Sequence, residues 1–161
     1  MSAAGIREKH DGILDDRSSV RLWLRLLSCT MVIEKRVRRR LDDRFDSTLP
    51  RFDILAALDR AGTMTMGALS RALLVSKGNV TALVQALKAD GLVDLTPSPD
   101  DRRASIVRLT PKGAAHFADM AKEHHRWIDA MLAGLGRTER EQLFALLGKL
   151  KTSIAVEETQ A

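Results

Sequence analysis

Apolar residues recur every three or four positions in six segments of this chain, and short polar breaks separate the segments. This spacing is the period of an amphipathic helix, which turns one apolar stripe toward a core. The segments run from Arg17 to about Phe45, Thr48 to Ala61, Thr65 to Leu73, Ser76 to Asp90, Thr110 to Met131 and Thr138 to Ile154. The pattern therefore predicts six helices.

Three of these segments begin with residue types that start helices. Thr48 stands just before Pro50, and a proline in the first helical turn loses no hydrogen bond. Ser76 can accept an otherwise unpaired backbone N–H of the first turn. Thr138 and Glu141 have the spacing of a capping box, which predicts that Thr138 caps the last helix.

Between the fourth and fifth segments the period changes. Residues 92–96 and 105–109 read as two short strands, and residues 97–103 between them are rich in proline and charge. Two such runs around a turn indicate a β-hairpin. The fold class predicted is mainly α, within the α+β class.

A short helix, a turn, a capped helix and a charged hairpin together make a winged helix-turn-helix with a two-stranded wing. We assign this DNA-binding region to residues 48–109. Residues 17–47 and 110–157 are expected to form a helical dimerisation region, because their helices carry more apolar side chains than a lone helix exposes. Residues 1–16 are polar and are expected to be a flexible leader. The whole is expected to be one compact domain.

Length and composition agree with a globular, cytoplasmic protein. The chain has 161 residues, 45% apolar and 29% charged, with a single cysteine. No apolar stretch approaches the ~18 residues of a membrane span, and no secretion signal opens the sequence. One cysteine excludes an internal disulfide and fits a reducing compartment.

Charge and the fourth helix point to a polyanionic partner. The net charge is +5 and the sequence pI is about 9.8. An α-helix fits the major groove of B-DNA, where amide side chains can pair with adenine and hydroxyl or ammonium groups can bind bases or phosphates. The fourth helix supplies such groups in Ser76, Lys77, Asn79, Thr81 and Gln85. The hairpin tip supplies Arg102 and Arg103, and guanidinium groups suit the negative potential of a minor groove.

Residues 76–113 resemble the DNA-reading half of the MarR family (multiple antibiotic resistance regulators). The most specific feature is Asp101-Arg102-Arg103 followed by Leu109-Thr110-x-x-Gly113, similar to the wing signature of that family. The resemblance covers about residues 17–155 and implies that Arg103 enters the minor groove with Asp101 bracing it. It also implies a homodimer on a pseudo-palindromic operator, a repressor role, and a ligand pocket between the dimerisation helices and the winged region.

The effector is expected to be small and anionic or aromatic, because some members of the family respond to aromatic carboxylates or their coenzyme A thioesters. Guanidinium groups bind carboxylates and phosphates, and a basic cluster lies near the end of the first helix. A solvated basic face and contact with DNA phosphates are the alternatives for this cluster. The candidate effector residues are Trp23, Arg36, Arg38, Arg39, Arg40, His124 and Trp127.

Other functions have weaker support. The sequence lacks the phosphate-binding, dinucleotide, metalloprotease and serine-hydrolase motifs, so no enzyme and no cofactor are predicted. The histidines do not have metal-ligand spacing, and no metal site is expected. Two alternatives stay open: a winged-helix adaptor for proteins, and a redox-responsive regulator using Cys29. We expect the Cys29 thiol to be buried and inert.

Overall fold

A computed structural model of the chain describes residues 18–99 and 104–160, with side chains as far as residue 155. Its elements are α1 (Ser18–Phe45), α2 (Leu49–Ala61), β1 (Thr63–Thr65), α3 (Met66–Leu73), α4 (Lys77–Ala89), β2 (Val93–Pro97), β3 (Ser105–Leu109), α5 (Pro111–Met131) and α6 (Arg137–Gln160). The six predicted helices are therefore present. The chain divides into two units, residues 1–125 and 126–161.

The sheet has one strand more than predicted. Its strands are antiparallel in the order β1-β3-β2, with β3 in the centre. Val93 pairs with Leu109 and Pro97 with Ser105, while Thr63 of β1 pairs with Arg108. A strand of three residues is too short to show a period of two, so the sequence pattern gave no sign of β1.

The core of the first unit lies among α2, α3, α4 and the sheet. Its fully buried side chains are Leu41, Ile54, Leu55, Leu58, Leu69, Val80, Val84, Leu87, Val93, Val107 and Met120. Most of them stand at the three- and four-residue intervals that predicted the helices. On α4 these buried residues are Val80, Val84 and Leu87, and their burial keeps the polar face of the helix on the surface.

The helices α3 and α4 of the winged region each begin directly after a side chain that caps the first turn. Thr65 Oγ1 accepts the N–H of Ala68 at 3.1 Å, and Ser76 Oγ accepts that of Asn79 at 3.3 Å. At the start of α2 the prediction is only half right. Pro50 lies in the first turn, but the Thr48 side chain makes no capping hydrogen bond.

In the second unit α6 starts two residues earlier than a cap at Thr138 would place it. The helix begins at Arg137, so Thr138 lies inside it and the predicted Thr138–Glu141 capping box is wrong. Glu139 instead accepts the N–H of Gly136 at 2.7 Å. The Arg140 guanidinium donates to the carbonyl oxygens of Leu132 and Leu135, both at 3.0 Å, and so binds the chain between α5 and α6.

Candidate nucleic-acid interface

Helix α4 buries one stripe and presents the rest of its surface. Val80, Val84 and Leu87 are completely buried. The polar residues proposed to read DNA, Ser76, Lys77, Asn79, Thr81 and Gln85, are all exposed. The helix thus offers a continuous polar surface outside the core.

The hydroxyl groups at this surface are already used within the helix. Ser76 Oγ caps the first turn, and Thr81 Oγ1 donates to the carbonyl oxygen of Lys77 at 2.9 Å. In the described parts of the chain the side chains of Lys77, Asn79 and Gln85 make no hydrogen bond. These three side chains therefore keep their donors and acceptors for a partner.

Two small residues belong to the same surface and were not among the predicted site residues. At 100° per residue, Gly78, Ala82 and Gln85 stand opposite the buried stripe. A Cβ atom added to Gly78 would meet nothing within 4 Å. Small side chains there let the helix axis approach a flat partner closely, and an alanine methyl can contact a thymine methyl. The helical period of the sequence would have been enough to place Gly78 and Ala82 on this surface.

The C-terminal end of α4 is tied to two other helices. Arg51 of α2 forms an ion pair with Asp90, the residue that follows α4. Lys112 of α5 donates to the carbonyl oxygen of Asp90 at 2.7 Å. The hydrogen bond from Arg51 lowers the pKa of the Asp90 carboxyl below its usual value. These contacts fix the orientation of α4 relative to α2 and the start of α5.

The hairpin is closed as far as Ser98, whose N–H donates to the carbonyl oxygen of Ala104 at 2.9 Å. The predicted wing residues Asp101, Arg102 and Arg103 lie outside the described residues. The described strands add a cross-strand pair, Arg108 and Asp94, with 3.9 Å between nitrogen and oxygen. The structure thus describes the base of the predicted wing.

The residues proposed for an effector do not form one site. Arg38 and Arg39 line an open cleft, whereas Arg36 and the half-buried Arg40 are not among its lining residues. Trp23 is exposed near the start of α1. Arg38 stands fifteen positions further along the same helix, a distance of about 22 Å at 1.5 Å per residue. Within one chain, Trp23 therefore cannot line that cleft.

His124 belongs to an aromatic cluster in the first unit. Its ring centroid lies 4.8 Å from the ring centroid of Phe52. The ring centroids of Phe52 and Phe117 are 5.5 Å apart. Burial lowers the pKa of His124, and the neighbouring His125 adds to the effect. Trp127 is buried and belongs to the second unit.

The prediction that Cys29 is buried is wrong, because its thiol is exposed on α1. Ser28, one residue earlier, takes the buried position and donates to the carbonyl oxygen of Leu24 at 2.8 Å. Among the described residues, no cluster of His, Cys, Asp or Glu could hold a metal ion. The described helices include none whose length and apolar content would let it span a membrane.

The sequence of the winged region matches a family model. Residues 45–104 match the model of the MarR family. The transcriptional repressor IacR of Pseudomonas putida is 29% identical over 108 residues, which cover 67% of this chain and 65% of the relative. The matched part thus spans slightly less than two thirds of that relative.

Solved structures share the fold over most of the chain. A mutant MarR from E. coli in complex with operator DNA superposes with a TM-score of 0.73 at 24% identity, covering 85% of this chain and 99% of that one. Bordetella bronchiseptica BpsR, whose DNA binding is regulated by 6-hydroxynicotinic acid, gives a TM-score of 0.71 at 25% identity. It covers 87% of this chain and 98% of BpsR.

Proposed function

Since this chain belongs to the MarR family of winged-helix regulators, we propose that it is a homodimeric, sequence-specific regulator of transcription. It binds double-stranded DNA at a pseudo-palindromic operator in the cytoplasm. It acts as a repressor that a small anionic or aromatic effector releases. No catalytic step is part of this function.

The observation that carries the proposal is the exposed polar face of α4 beside a strand hairpin. A capped helix of 13 residues has the length to enter a major groove. Lys77, Asn79 and Gln85 keep free side-chain donors and acceptors on this face. Lysine suits phosphates and guanine, and the two amides suit adenine. Arg102 and Arg103, with Asp101 as a brace, would contact the flanking minor groove.

Dimerisation is supported by exposed apolar side chains in both units. On α6 these are Leu143, Phe144, Leu146, Leu147, Leu150 and Ile154. On α1 they are Val20, Leu22, Trp23 and Met31. Apolar surface of this extent is normally covered by a partner. In the proposed dimer a second copy of the chain covers it, which places two α4 helices about one turn of DNA apart.

The effector is proposed to be an aromatic carboxylate or its coenzyme A thioester. Of the seven residues that the sequence suggested for binding it, the guanidinium groups of Arg38 and Arg39 remain the candidates, because both line the open cleft at the end of α1. Such a ligand releases DNA only if it binds the free conformation more tightly than the DNA-bound one.

Fluorescence anisotropy with duplex DNA from upstream of the gene tests the proposal, with a scrambled duplex beside it. We expect tight binding of the native duplex alone, persisting at physiological salt. Equal binding of both duplexes that vanishes with salt would contradict it, because non-specific phosphate attraction behaves that way.

Two arginine variants separate DNA reading from a protein-adaptor role. Arg103→Ala should cost about 1–3 kcal/mol of binding to the native duplex. Arg137→Ala is the matched control, because this arginine is exposed at the start of α6, outside the winged region. Equal affinities of the two variants would favour the adaptor.

A further inference from the structure

Leu74 is the most exposed of the large apolar side chains that the structure describes, with 92% of its surface open to solvent. It lies in the turn between α3 and α4, directly after Leu73, the last residue of α3. A single leucine on the surface of a protein is ordinary by itself. The backbone conformation makes this one unusual.

The backbone of Leu74 is left-handed, with φ 54° and ψ 38°. Glycine is the usual residue at this place after a helix, because a Cβ atom in this conformation lies too close to the following carbonyl oxygen. Among the described residues other than glycine, only Leu74 and Asp46 have a positive φ, and aspartate tolerates it better than leucine does. Leu74 is therefore strained, and its side chain gains no burial in return.

Hydrogen bonds on both sides hold Leu74 in this conformation. The N–H of Val75 donates to the carbonyl oxygen of Ser70 at 3.2 Å, and Ser70 Oγ donates to the carbonyl oxygen of Val75 at 2.6 Å. The N–H of Leu74 donates to the carbonyl oxygen of Arg71 at 3.4 Å. The turn is thus closed around an exposed leucine. Strained residues that their surroundings hold in place are concentrated at functional sites.

The turn lies beside the end of α4 that the proposed function places in the major groove. Leu74 stands two residues before Ser76, the N-cap of α4, and two residues of chain span at most about 7 Å. The major groove of B-DNA is about 12 Å wide. A duplex that contacts Ser76 and Lys77 is therefore within reach of the Leu74 side chain.

The segment that contains Leu74 carries positive charge alone. From Arg60 to Ala89 the sequence has four basic residues and no Asp or Glu. All four are exposed: Arg60, Arg71, Lys77 and Lys88. An apolar side chain within a cationic surface fits duplex DNA, because its phosphates flank apolar groups, the deoxyribose rings and the C5-methyl groups of thymine. An apolar protein surface would leave these cations without counter-charges.

We propose that Leu74 is a DNA-contacting residue whose side chain packs against a thymine methyl group or a deoxyribose ring at the edge of the major groove. Such a contact rests on the proposed function, to which it adds an apolar component, since the polar residues of α4 account for hydrogen bonds alone. The duplex covers the side chain that the free chain leaves in solvent. Leu74 and the first turn of α4 then contact adjacent positions of each half-site.

Substitutions at this one position separate the side chain from the turn. Leu74→Ala keeps the left-handed strain and should weaken binding to the native duplex about tenfold, because three carbon atoms lose their contact with DNA. Its Tm should equal that of the wild type, because the side chain is exposed. Leu74→Met is the matched control, since it is apolar and of similar volume, and its affinity should stay within about twofold of the wild type. Unchanged affinity of Leu74→Ala, or an equal loss in Leu74→Met, would overturn the proposal.

A second measurement changes the duplex and leaves the protein intact. Deoxyuridine replaces each thymine of the native duplex in turn, which removes one C5-methyl group at a time. If Leu74 contacts a thymine methyl group, one such position in each half-site should weaken wild-type binding about fourfold and leave the binding of Leu74→Ala unchanged. If every replacement affects the two proteins equally while Leu74→Ala binds more weakly, the contact is with deoxyribose.

Methyl NMR distinguishes a failure of this contact from a failure of the proposed function. The full chain with ¹³C-labelled leucine methyl groups is titrated with the native and the scrambled duplex. Equal, saturable shifts of the Leu74 signals with both duplexes support the contact, while the sequence-specific regulator fails. Preference for the native duplex with unshifted Leu74 signals leaves the regulator standing and overturns the contact alone. Absence of binding to either duplex overturns both.

Discussion

Gly113 in the first turn of α5 lies so close to Leu92 that a Cβ atom on it would overlap the Leu92 carbonyl oxygen. Thr110 holds the same junction together. Its hydroxyl donates to the carbonyl oxygen of Gly91 at 2.7 Å and accepts the N–H of Gly113 at 2.9 Å, while its own N–H donates to Leu92 at 3.1 Å. The Leu-Thr-x-x-Gly motif of the wing signature is thus a structural joint between α4, β2 and α5.

Gly113→Ala should destabilise the fold by about 3 kcal/mol, because backbone rather than a flexible side chain must move. Thermal unfolding measures the effect. Gly67→Ala is the control: its Cβ would meet only the end of the Arg71 side chain at 3.5 Å. We expect it to stabilise α3 by about 0.5–1 kcal/mol. Equal stability of the two variants would contradict the close packing of Gly113 against Leu92.

Gly78→Ala should separate folding from DNA binding. A Cβ at this position meets nothing in the chain, so the alanine should stabilise α4 by about 0.5–1 kcal/mol. If α4 approaches DNA closely, the same methyl group should weaken binding to the native duplex at least about tenfold. Unfolding curves and anisotropy measure the two effects. An unchanged affinity would show that this face does not approach DNA.

Gln85→Ala should reduce discrimination between bases rather than general affinity. Gln85 is exposed opposite the buried stripe, and an amide that pairs with adenine contributes about 1–3 kcal/mol of discrimination. Binding to a set of duplexes with single base substitutions measures it. Gln142→Ala on α6 is the control, because Gln142 is exposed outside the winged region. A uniform loss across all duplexes would instead indicate contact with phosphates.

The histidine of the aromatic cluster predicts acid sensitivity. Burial lowers the pKa of His124 below its ordinary value of 6.5. The unfolded chain therefore takes up this proton at a higher pH than the folded chain, and stability is lost as the pH falls through 6.5. His124→Phe keeps a ring against Phe52 and should reduce the fall in Tm between pH 7 and pH 5.

Above pH 7.5 the difference in Tm between this variant and the wild type should stay constant, because His124 is neutral in both states. A fall in Tm on acidification that is identical in the two proteins would exclude His124 as its source.

Leu150→Glu should disrupt the proposed dimer. Leu150 is 39% exposed on the apolar stripe of α6, and an unpaired charge buried in an interface costs about 3–5 kcal/mol. Light scattering after size exclusion should show a monomer. Ala145→Glu, which lies about 140° around the helix from Leu150, should remain dimeric. A dimeric Leu150→Glu protein would exclude this stripe as the interface.

Helices were the most predictable part of this fold. Val80, Val84 and Leu87 stand at helical spacing, and the burial of these three side chains orients α4. Ser76 was recognised as a cap for the same reason, since its hydroxyl acts on the residue three positions later. Both relationships join residues only three or four positions apart, so the sequence alone is enough to predict them.

Contacts between distant residues were less visible. Strand β1 pairs with β3, and this pairing joins Thr63 to Arg108. The three residues of β1 contain no pattern that could predict a partner 45 positions away. The exposure of Cys29 depends on whether Ser28 or Cys29 faces the core, a difference of one position on a helix.

The residue order of this chain was enough to predict its helices and the polar face of α4, because each depends on side chains within one or two turns of each other. The cleft at the end of α1 and the joint at Gly113 came only from the folded chain. They arise where separate elements meet, and the crowding at the Leu92 carbonyl oxygen exists only after packing has brought those elements together.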